Sequence, residues 1–266
     1  MTTEAVAHAE IESGPIDAAL PVAPGSAGRV DGAREMFATT SVAETLAVVV
    51  DLARRTFRAD GAGILLAADG GAVPTAASGV RARRADALQV DHHQGPGFHA
   101  IKGRQPVVSP ELRFDSRWRF WAPHAADLGL RSVLSLALPD GEPIGALTLY
   151  SQRPANFGTE SLAPGLAFAQ QASIAITVAV EREQLLNAAD SRGIVGQAQG
   201  ILMERYQITS EQAFALIRRS SSALNQKLRW IAERIIAGRS LPDIDRYVLP
   251  HVVGATSIGG GFDHDR

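Results

Sequence analysis

The chain has 266 residues, of which 45% are hydrophobic, and a formal net charge of -2. This length suits one large domain or two ordinary ones, and the composition is typical of a globular protein. The absence of cysteine excludes disulfides, thiolate catalysis and cysteine-ligated zinc or iron–sulfur centres. No run approaches the roughly 18 consecutive apolar residues of a spanning helix, and the N-terminus lacks the features of a secretory signal. We therefore expect a cytoplasmic protein that makes no contact with a membrane.

The first part of the chain mixes helical and strand patterns. Residues 1–35 are rich in Ala, Gly and Pro without a sustained period, which predicts a disordered segment. Residues 41–57 form an amphipathic helical pattern, and short apolar runs separated by turn residues follow it. The clearest unit is residues 132–151, where two strand-like runs flank an Asp-Gly turn and predict a hairpin at the centre of an antiparallel sheet. We interpret residues 36–180 as one α+β domain.

The second part of the chain is helical throughout. A first helix covers residues 164–206 and has Pro164 in its first turn. Thr209 and Gln212 form a capping-box pattern at the start of a second helix. A third helix is predicted to begin with Asn225 as its cap and to end at Gly238.

The helical pattern also predicts buried positions and domain limits. On the second helix Phe214 shares a face with Ile217 and Leu224, so we expect Phe214 to be a core residue. Residues 181–248 are assigned to an all-α domain, and residues 249–266 to a flexible tail.

Several segments of the chain carry a family likeness. Arg192 is followed by IVGQAQGILMER, and further on come EQAF, RRS and NQKLRWIAE. These segments resemble the ANTAR domain, a three-helix RNA-binding module of bacterial antitermination regulators. Upstream, QGPGFHAIKGRQPVV, FDSRWRFWAPHAADLGLRSVLSLAL and GALTLYSQRPANF resemble a GAF sensor domain. The resemblance implies an α+β fold in which an antiparallel-sheet GAF domain is followed by a long connecting helix and an all-α three-helix ANTAR domain.

Two positions depart from the pattern of these families. Gln199 stands where an ANTAR domain frequently has lysine, which removes a positive charge from the RNA-binding module. Gly97 stands where such a GAF domain frequently has cysteine, which removes a thiol that would sense oxidants.

The ANTAR-like segment has a local excess of positive charge. Residues 187–239 contain eight basic and four acidic residues, although the whole chain is slightly acidic. Such an excess suits a nucleic-acid ligand, because neutralising phosphates and releasing their counterions supplies affinity. On the last helix Trp230 falls opposite the apolar face, between Lys227 and Arg234, where its ring can stack on an unpaired base or form a protein contact. The predicted RNA-binding residues are Arg192, Gln199, Arg205, Arg218, Arg219, Lys227, Arg229, Trp230 and Arg234.

A stripe of small residues interrupts the long helix. Ala189, Gly193, Gly196 and Gly200 lie roughly opposite its apolar face at spacings of four, three and four residues. Because each mid-helix glycine costs about 1 kcal/mol relative to alanine, we expect something to approach this backbone closely. The alternatives are a helix, from the same bundle or from a partner chain, and RNA; small stripes favour a helix.

The sensor half contains one candidate ligand site. Arg117, Trp118 and Trp121 could supply apolar walls and a polar anchor for a small ligand, or the aromatic side could anchor a surface helix to the sheet. No histidine pair has the spacing of a zinc motif, so we predict no metal site, and no motif identifies a cofactor. Nor does the chain contain a nucleotide-binding or hydrolase motif, and methionine sulfoxide reduction requires the thiolates that it lacks.

These features predict a non-enzymatic regulator in which a GAF sensor controls an ANTAR module that binds stem-loop RNA and prevents transcription termination. We expect a homodimer, because residues 166–186 are apolar all round the helix. Two other classes remain open. One is a helix-turn-helix regulator that binds duplex DNA, and the other is an interaction module that no longer binds RNA.

Overall fold

The computed structural model describes residues 32, 34–69 and 71–238, and it contains one five-stranded sheet and two groups of helices. The sheet order is β2-β1-β5-β4-β3, and every neighbouring pair is antiparallel. The strands are β1 (Gly61–Ala68), β2 (Gly71–Ala77), β3 (Val107–Ser109), β4 (Ser132–Leu138) and β5 (Gly145–Ser151). The α-helices are α1 (Val42–Thr56), α2 (Gly79–Asp91), α3 (Pro96–Gly103), α4 (Trp121–Asp127), α5 (Leu162–Tyr206), α6 (Ser210–Leu224) and α7 (Leu228–Ile236).

The hairpin predicted over residues 132–151 is confirmed as β4 and β5, and β5 is the central strand of the sheet. The pairing runs from Ser132 opposite Ser151 to Leu138 opposite Gly145. A Cβ on Gly145 would lie 2.2 Å from the carbonyl oxygen of Leu65, so only glycine lets β1 and β5 approach here. The pairing of β1 with β5 therefore depends on glycine at position 145.

The two faces of the sheet pack against different helices. Alternate residues of β4 and β5, such as Leu134 and Leu147, join a core with α1 and the first half of α5. On the opposite face, Val133 and Tyr150 join a second core with residues of α2, α3 and α4. Both faces are thus covered, and the N-terminal domain is a helix–sheet–helix sandwich.

Helix α5 is 45 residues long and belongs to both halves of the chain. Its first half packs on the sheet through small residues, and a Cβ on Gly165 would lie 3.1 Å from the Leu136 side chain. By length and composition alone, the stretch Thr159–Tyr206 would suit a membrane span, and 39% of its most apolar window is buried inside the protein. Burial against the sheet accounts for the apolar character of one face of this helix.

The junction between the two halves is fixed by hydrogen bonds to the start of α1. The Arg182 guanidinium donates to the Thr39 carbonyl at 2.6 Å, and the backbone N–H of Val42 donates to the Glu183 carboxylate at 3.2 Å. Residues 32 and 34–37 are helical and precede these contacts. The rest of the predicted N-terminal segment and the predicted tail, residues 249–266, lie outside the described residues.

The second half of α5 packs with α6 and α7 into a three-helix unit. Its core is formed by apolar residues from all three helices, namely Ala198, Leu202, Ala213, Leu216, Ile217, Ile231, Ala232 and Ile235. The predicted capping box at Thr209 and Gln212 is present at the start of α6.

Two predictions about this unit were wrong: the burial of Phe214 and the residue that caps α7. Phe214 is 41% exposed, because the buried face of α6 contains Ala213 and Leu216 and is turned away from Phe214. Asn225 does not cap α7. It takes the left-handed conformation that ends α6, and Lys227 precedes α7 without a side-chain cap.

Candidate nucleic-acid interface and sensor core

The small-residue stripe of α5 faces open space. A Cβ added to Gly193, Gly196 or Gly200 would meet no atom within 4 Å apart from the nearby backbone of its own helix. Among the described residues, therefore, no helix of the same chain packs on the stripe. Of the occupants that the sequence left open, a helix of the same bundle is excluded among the described residues, because α6 and α7 both pack on the face that contains Ala198 and Leu202.

The predicted RNA-binding residues are distributed over all three helices. Arg218 and Arg219 lie side by side on the exposed surface of α6 and line a shallow depression with Ser222 and Ala223. Neither guanidinium pairs with a carboxylate within the described part of the chain. Their charges are therefore available to an external anion.

Arg229 differs from this pair because its charge is used inside the unit. Its guanidinium contacts the Asp190 carboxylate at 2.6 Å and the Glu233 carboxylate at 2.8 Å. Hydrogen bonds to Glu233 and Asp190 raise the pKa of Arg229 above its usual value. Since Asp190 belongs to α5, this pair of contacts fixes α7 against the long helix.

Trp230 lies at the surface, as the helical wheel predicted. Its side chain is 38% exposed, and the Arg234 guanidinium lies 5.0 Å from the centre of its ring. A cation over an aromatic face is a favourable contact, and part of the ring remains exposed to solvent. Lys227 is exposed immediately before this helix.

Gln199 makes a contact that the sequence did not reveal. Its side-chain amide donates to the carbonyl and hydroxyl oxygens of Ser210, at 3.2 and 3.3 Å. It therefore joins α5 to the first residue of α6. Arg192 and Arg205 are exposed on the same long helix, and Arg192 donates to its own helix at the Ala188 carbonyl.

The predicted ligand site around Trp118 and Trp121 is a packed core. Both rings are buried and lie edge to face with centres 5.6 Å apart, and the Trp121 indole N–H donates to the Ala85 carbonyl. Arg117 is held by the Asp115 carboxylate and the Val108 carbonyl. Because protein contacts account for these side chains, the structure favours the anchoring role over ligand binding.

A buried polar network that the sequence pattern did not reveal lies on the same side of the sheet. The Tyr150 hydroxyl donates to Asp86 at 2.6 Å, and the Gln89 amide donates to Asp86 at 3.2 Å and to Tyr150 at 2.9 Å. The Gln89 carbonyl accepts the Gly97 backbone N–H at 2.7 Å. Helical periodicity could have indicated that these side chains are buried, because Asp86 and Gln89 occupy the same helical face as Ala82 and Ala85.

Position 97 is closely packed beside this network. A Cβ there would lie 2.8 Å from the Leu65 side chain and 3.0 Å from the Gln89 carbonyl oxygen. The second oxygen of Asp86 is buried without a hydrogen-bond partner and lies against Gly63. Burial raises the pKa of Asp86 to about 7, and the same burial raises the pKa of Tyr150 well above its usual value.

A small cavity of about 390 Å³ lies near this network, at the start of α2. Tyr150, Ser78, Asp60 and Arg81 are among its lining residues. Among the described residues, no group of three or more histidine or acidic side chains is placed to hold a metal ion.

Two family models match the chain, and together they account for both halves of this geometry. The GAF domain model matches residues 39–177, just over half of the chain, and the ANTAR domain model matches residues 183–236. The chain belongs to the GAF domain family and continues into an ANTAR domain. The GAF domain thus contains the sheet and the Asp86 network, and the ANTAR domain contains the three-helix unit. No curated protein sequence matches this chain.

Solved structures share the fold of the GAF domain at low sequence identity. A bacteriophytochrome from R. palustris is 13% identical, with a TM-score of 0.52 over 76% of this chain and 48% of its own. The GAF domain of a phosphoenolpyruvate-protein phosphotransferase from Coxiella burnetii is 18% identical, with a TM-score of 0.48 over 60% of this chain and 99% of its own. The free methionine-R-sulfoxide reductase from Neisseria meningitidis is 15% identical, with a TM-score of 0.47 over 57% of this chain and 88% of its own.

The raised pKa of Asp86 predicts how the stability of the GAF domain depends on pH. Between the usual carboxyl pKa of 3.8 and about 7, the folded chain keeps a proton on Asp86 that the unfolded chain has lost. The free energy of unfolding therefore falls as pH rises through this interval. We expect Asp86→Asn, which cannot ionise, to remove this part of the pH dependence, measured as melting temperature from about pH 5 to about pH 8.

Asp91→Asn is the matched control, because Asp91 ends the same helix and is exposed. Equal slopes of melting temperature against pH in the wild type and Asp86→Asn would contradict a raised pKa for Asp86.

Proposed function

We propose that the protein is a signal-responsive RNA-binding regulator whose ANTAR domain binds stem-loop RNA and thereby prevents transcription termination. An ANTAR domain indicates RNA-binding antitermination, and a GAF domain indicates small-molecule sensing. The observation that carries the proposal is the match of residues 183–236 to a three-helix unit in which Arg218 and Arg219 are exposed and have no carboxylate partner among the described residues. The stem-loop shape of the RNA and the control of RNA binding by the GAF domain are both parts of the proposal.

The chemistry of the exposed surface supports RNA as the ligand. Arg218 and Arg219 offer two adjacent guanidinium groups to phosphate oxygens, and counterion release makes such contacts favourable. Trp230, under the Arg234 guanidinium, offers an aromatic face of the kind on which unpaired loop bases stack. Phosphate contacts combined with a stacking surface suit a stem with an open loop better than a continuous duplex.

The GAF domain is proposed to control this surface through α5. A small ligand in the cavity at the start of α2 would lie beside Tyr150, which is hydrogen-bonded to Asp86. Helix α5 packs on the same sheet and continues without interruption into the ANTAR core. We propose that the protein works in the cytoplasm as a homodimer without catalytic activity, and that the sensor alters how the two ANTAR domains are presented.

Titration of the purified full-length chain with different nucleic acids tests this function. We expect tandem stem-loop RNA to bind more tightly than matched duplex DNA across a salt series, because unpaired bases are accessible only in the loops. Preference for duplex DNA would favour the helix-turn-helix alternative, for which the short turn before Thr209 is suitable. Binding to neither would favour an interaction module, an alternative that the missing charge at Gln199 supports.

Removing the exposed pair Arg218 and Arg219 should weaken RNA binding without unfolding the protein. We expect Arg218→Gln with Arg219→Gln to lower affinity and to reduce the slope of log affinity against log salt by about one for each phosphate that is no longer neutralised. The matched control is Arg83→Gln with Arg84→Gln, which removes an adjacent, exposed pair from the GAF domain. Equal reductions of affinity in both double variants would show that only the overall charge matters.

Restoring the frequent residue of the family at position 199 should strengthen RNA binding. We expect Gln199→Lys to add one cation beside the α5–α6 contact and to steepen the salt dependence by about one. Gln197→Lys is the control, since it adds the same charge to another exposed side of α5. An unchanged salt slope for Gln199→Lys would place position 199 away from the RNA.

A further inference from the structure

Four flat side chains lie one after another on the surface of the GAF domain. The Arg119 guanidinium lies 5.5 Å from the centre of the Phe120 ring. The His92 ring lies 6.4 Å from the Phe120 ring at an interplanar angle of 25°, and the His124 ring lies 5.4 Å from the His92 ring at 26°. Because neighbouring rings are nearly parallel, we call these four side chains the stacked column.

The stacked column is exposed but held in position. All four of its side chains are at the surface, and Phe120 is 57% exposed. The backbone N–H of Phe120 donates to the Gln94 side-chain oxygen at 3.0 Å, and the Phe120 carbonyl lies 2.7 Å from Nδ1 of His124. The segment is anchored by the buried rings of Trp118 and Trp121. A ligand that packs on such a fixed surface loses little affinity to the ordering of side chains.

The helices and loops around the stacked column have an excess of positive charge. Residues 79–131 contain nine basic and five acidic residues, the same excess as in the ANTAR-like segment 187–239. Five of these basic residues are exposed and have no carboxylate partner among the described residues, namely Arg81, Arg83, Arg84, Lys102 and Arg119. Only two exposed carboxylates of this segment, Asp91 and Asp127, lack a cation partner within the described part of the chain. The surface therefore suits a polyanion.

Aromatic rings beside an unpaired cation suit unpaired nucleotides in particular. Bases stack on aromatic rings and guanidinium planes, and cations neutralise the phosphates between them. A continuous duplex makes less use of such a surface, because its bases are already stacked on one another. On the ANTAR domain, Trp230 and Arg234 form a similar pair of aromatic ring and guanidinium.

We propose that the stacked column of the GAF domain is a second RNA contact, which binds unpaired nucleotides that flank the stem-loops. A base packs against the column, and Arg119 neutralises an adjoining phosphate. This inference rests on the proposed RNA-binding function, and it adds that the GAF domain itself binds part of the same RNA.

Two RNAs that differ only in their unpaired nucleotides test the contact. The purified full-length chain is titrated with tandem stem-loop RNA, with and without about 16 unpaired nucleotides at each end, a length that covers the site of a single-strand-binding domain. We expect the wild type to bind the extended RNA about tenfold more tightly, as stacking of one base provides. Phe120→Ala should bind both RNAs equally and should keep the wild-type affinity for the unextended RNA.

Phe114→Ala is the matched control for the aromatic ring. Phe114 also follows an arginine in the same segment and is 83% exposed. Its ring contacts no other ring or guanidinium among the described residues. We therefore expect Phe114→Ala to retain the preference for the extended RNA.

The charge of the stacked column has a separate test. We expect Arg119→Gln to reduce the slope of log affinity against log salt by about one for the extended RNA and to leave the slope for the unextended RNA unchanged. Arg83→Gln is the control, because it removes the same charge from an exposed position of α2 outside the column. Equal reductions of the slope in both variants would show that the column makes no specific contact.

Other results would also overturn the proposal. Equal affinity of the wild type for both RNAs would show that the GAF domain does not bind the unpaired nucleotides, and an equal loss in Phe114→Ala would show that the column is not the site. If Phe120→Ala weakened binding to vesicles of anionic lipid and left RNA binding unchanged, the partner would be a lipid surface and the proposal would fail.

Photo-cross-linking separates this inference from the proposed function. An oligonucleotide of about 16 unpaired nucleotides that contains 4-thiouridine should cross-link to the peptide that includes Phe120, as identified by mass spectrometry. Cross-linking at Phe120 in a protein that binds no stem-loop would remove the proposed function and leave the RNA contact of the GAF domain. Stem-loop binding without any cross-link at Phe120 would do the reverse.

Discussion

The continuity of α5 is the constraint on which the rest of the structure depends. One helix supplies apolar residues to the core beneath the GAF sheet and, further along its length, to the core of the ANTAR domain. The helix is unbroken between these two cores, so Ala198 and Leu202 belong to the same element as the residues that pack on the sheet. The contacts of Arg182 and Glu183 with the start of α1 fix it at the boundary between the two domains.

The GAF domain has a buried polar network in its core. Asp86, Gln89 and Tyr150 join α2, β5 and the start of α3 through hydrogen bonds in a region closed to solvent. A buried network of this kind specifies the relative positions of its elements, because each donor without its partner would bear the full cost of desolvation. A side chain at position 97 would require the Leu65 and Gln89 side chains to shift, in a place where such domains frequently have cysteine.

In the ANTAR domain the basic residues divide into two groups with different physical roles. Arg229 stabilises the packing of α7 on α5 through two carboxylates, whereas Arg218 and Arg219 have no such partners among the described residues. A count of charges cannot separate these groups, since it depends only on composition. The arrangement of acidic neighbours in space decides which cations remain available to a ligand.

The sequence by itself determined the order of the elements, the hairpin over residues 132–151, the capping box at Thr209 and the surface position of Trp230. These features depend on neighbours within a few residues, so local pattern was sufficient. The tertiary structure alone decided that Phe214 is exposed, that Trp118 and Trp121 are packed, and that Asp86 is buried with a raised pKa. It also showed that the glycine stripe of α5 has no neighbour among the described residues. Burial depends on which distant segment covers a surface, and helical periodicity specifies a face only to within a fraction of a turn.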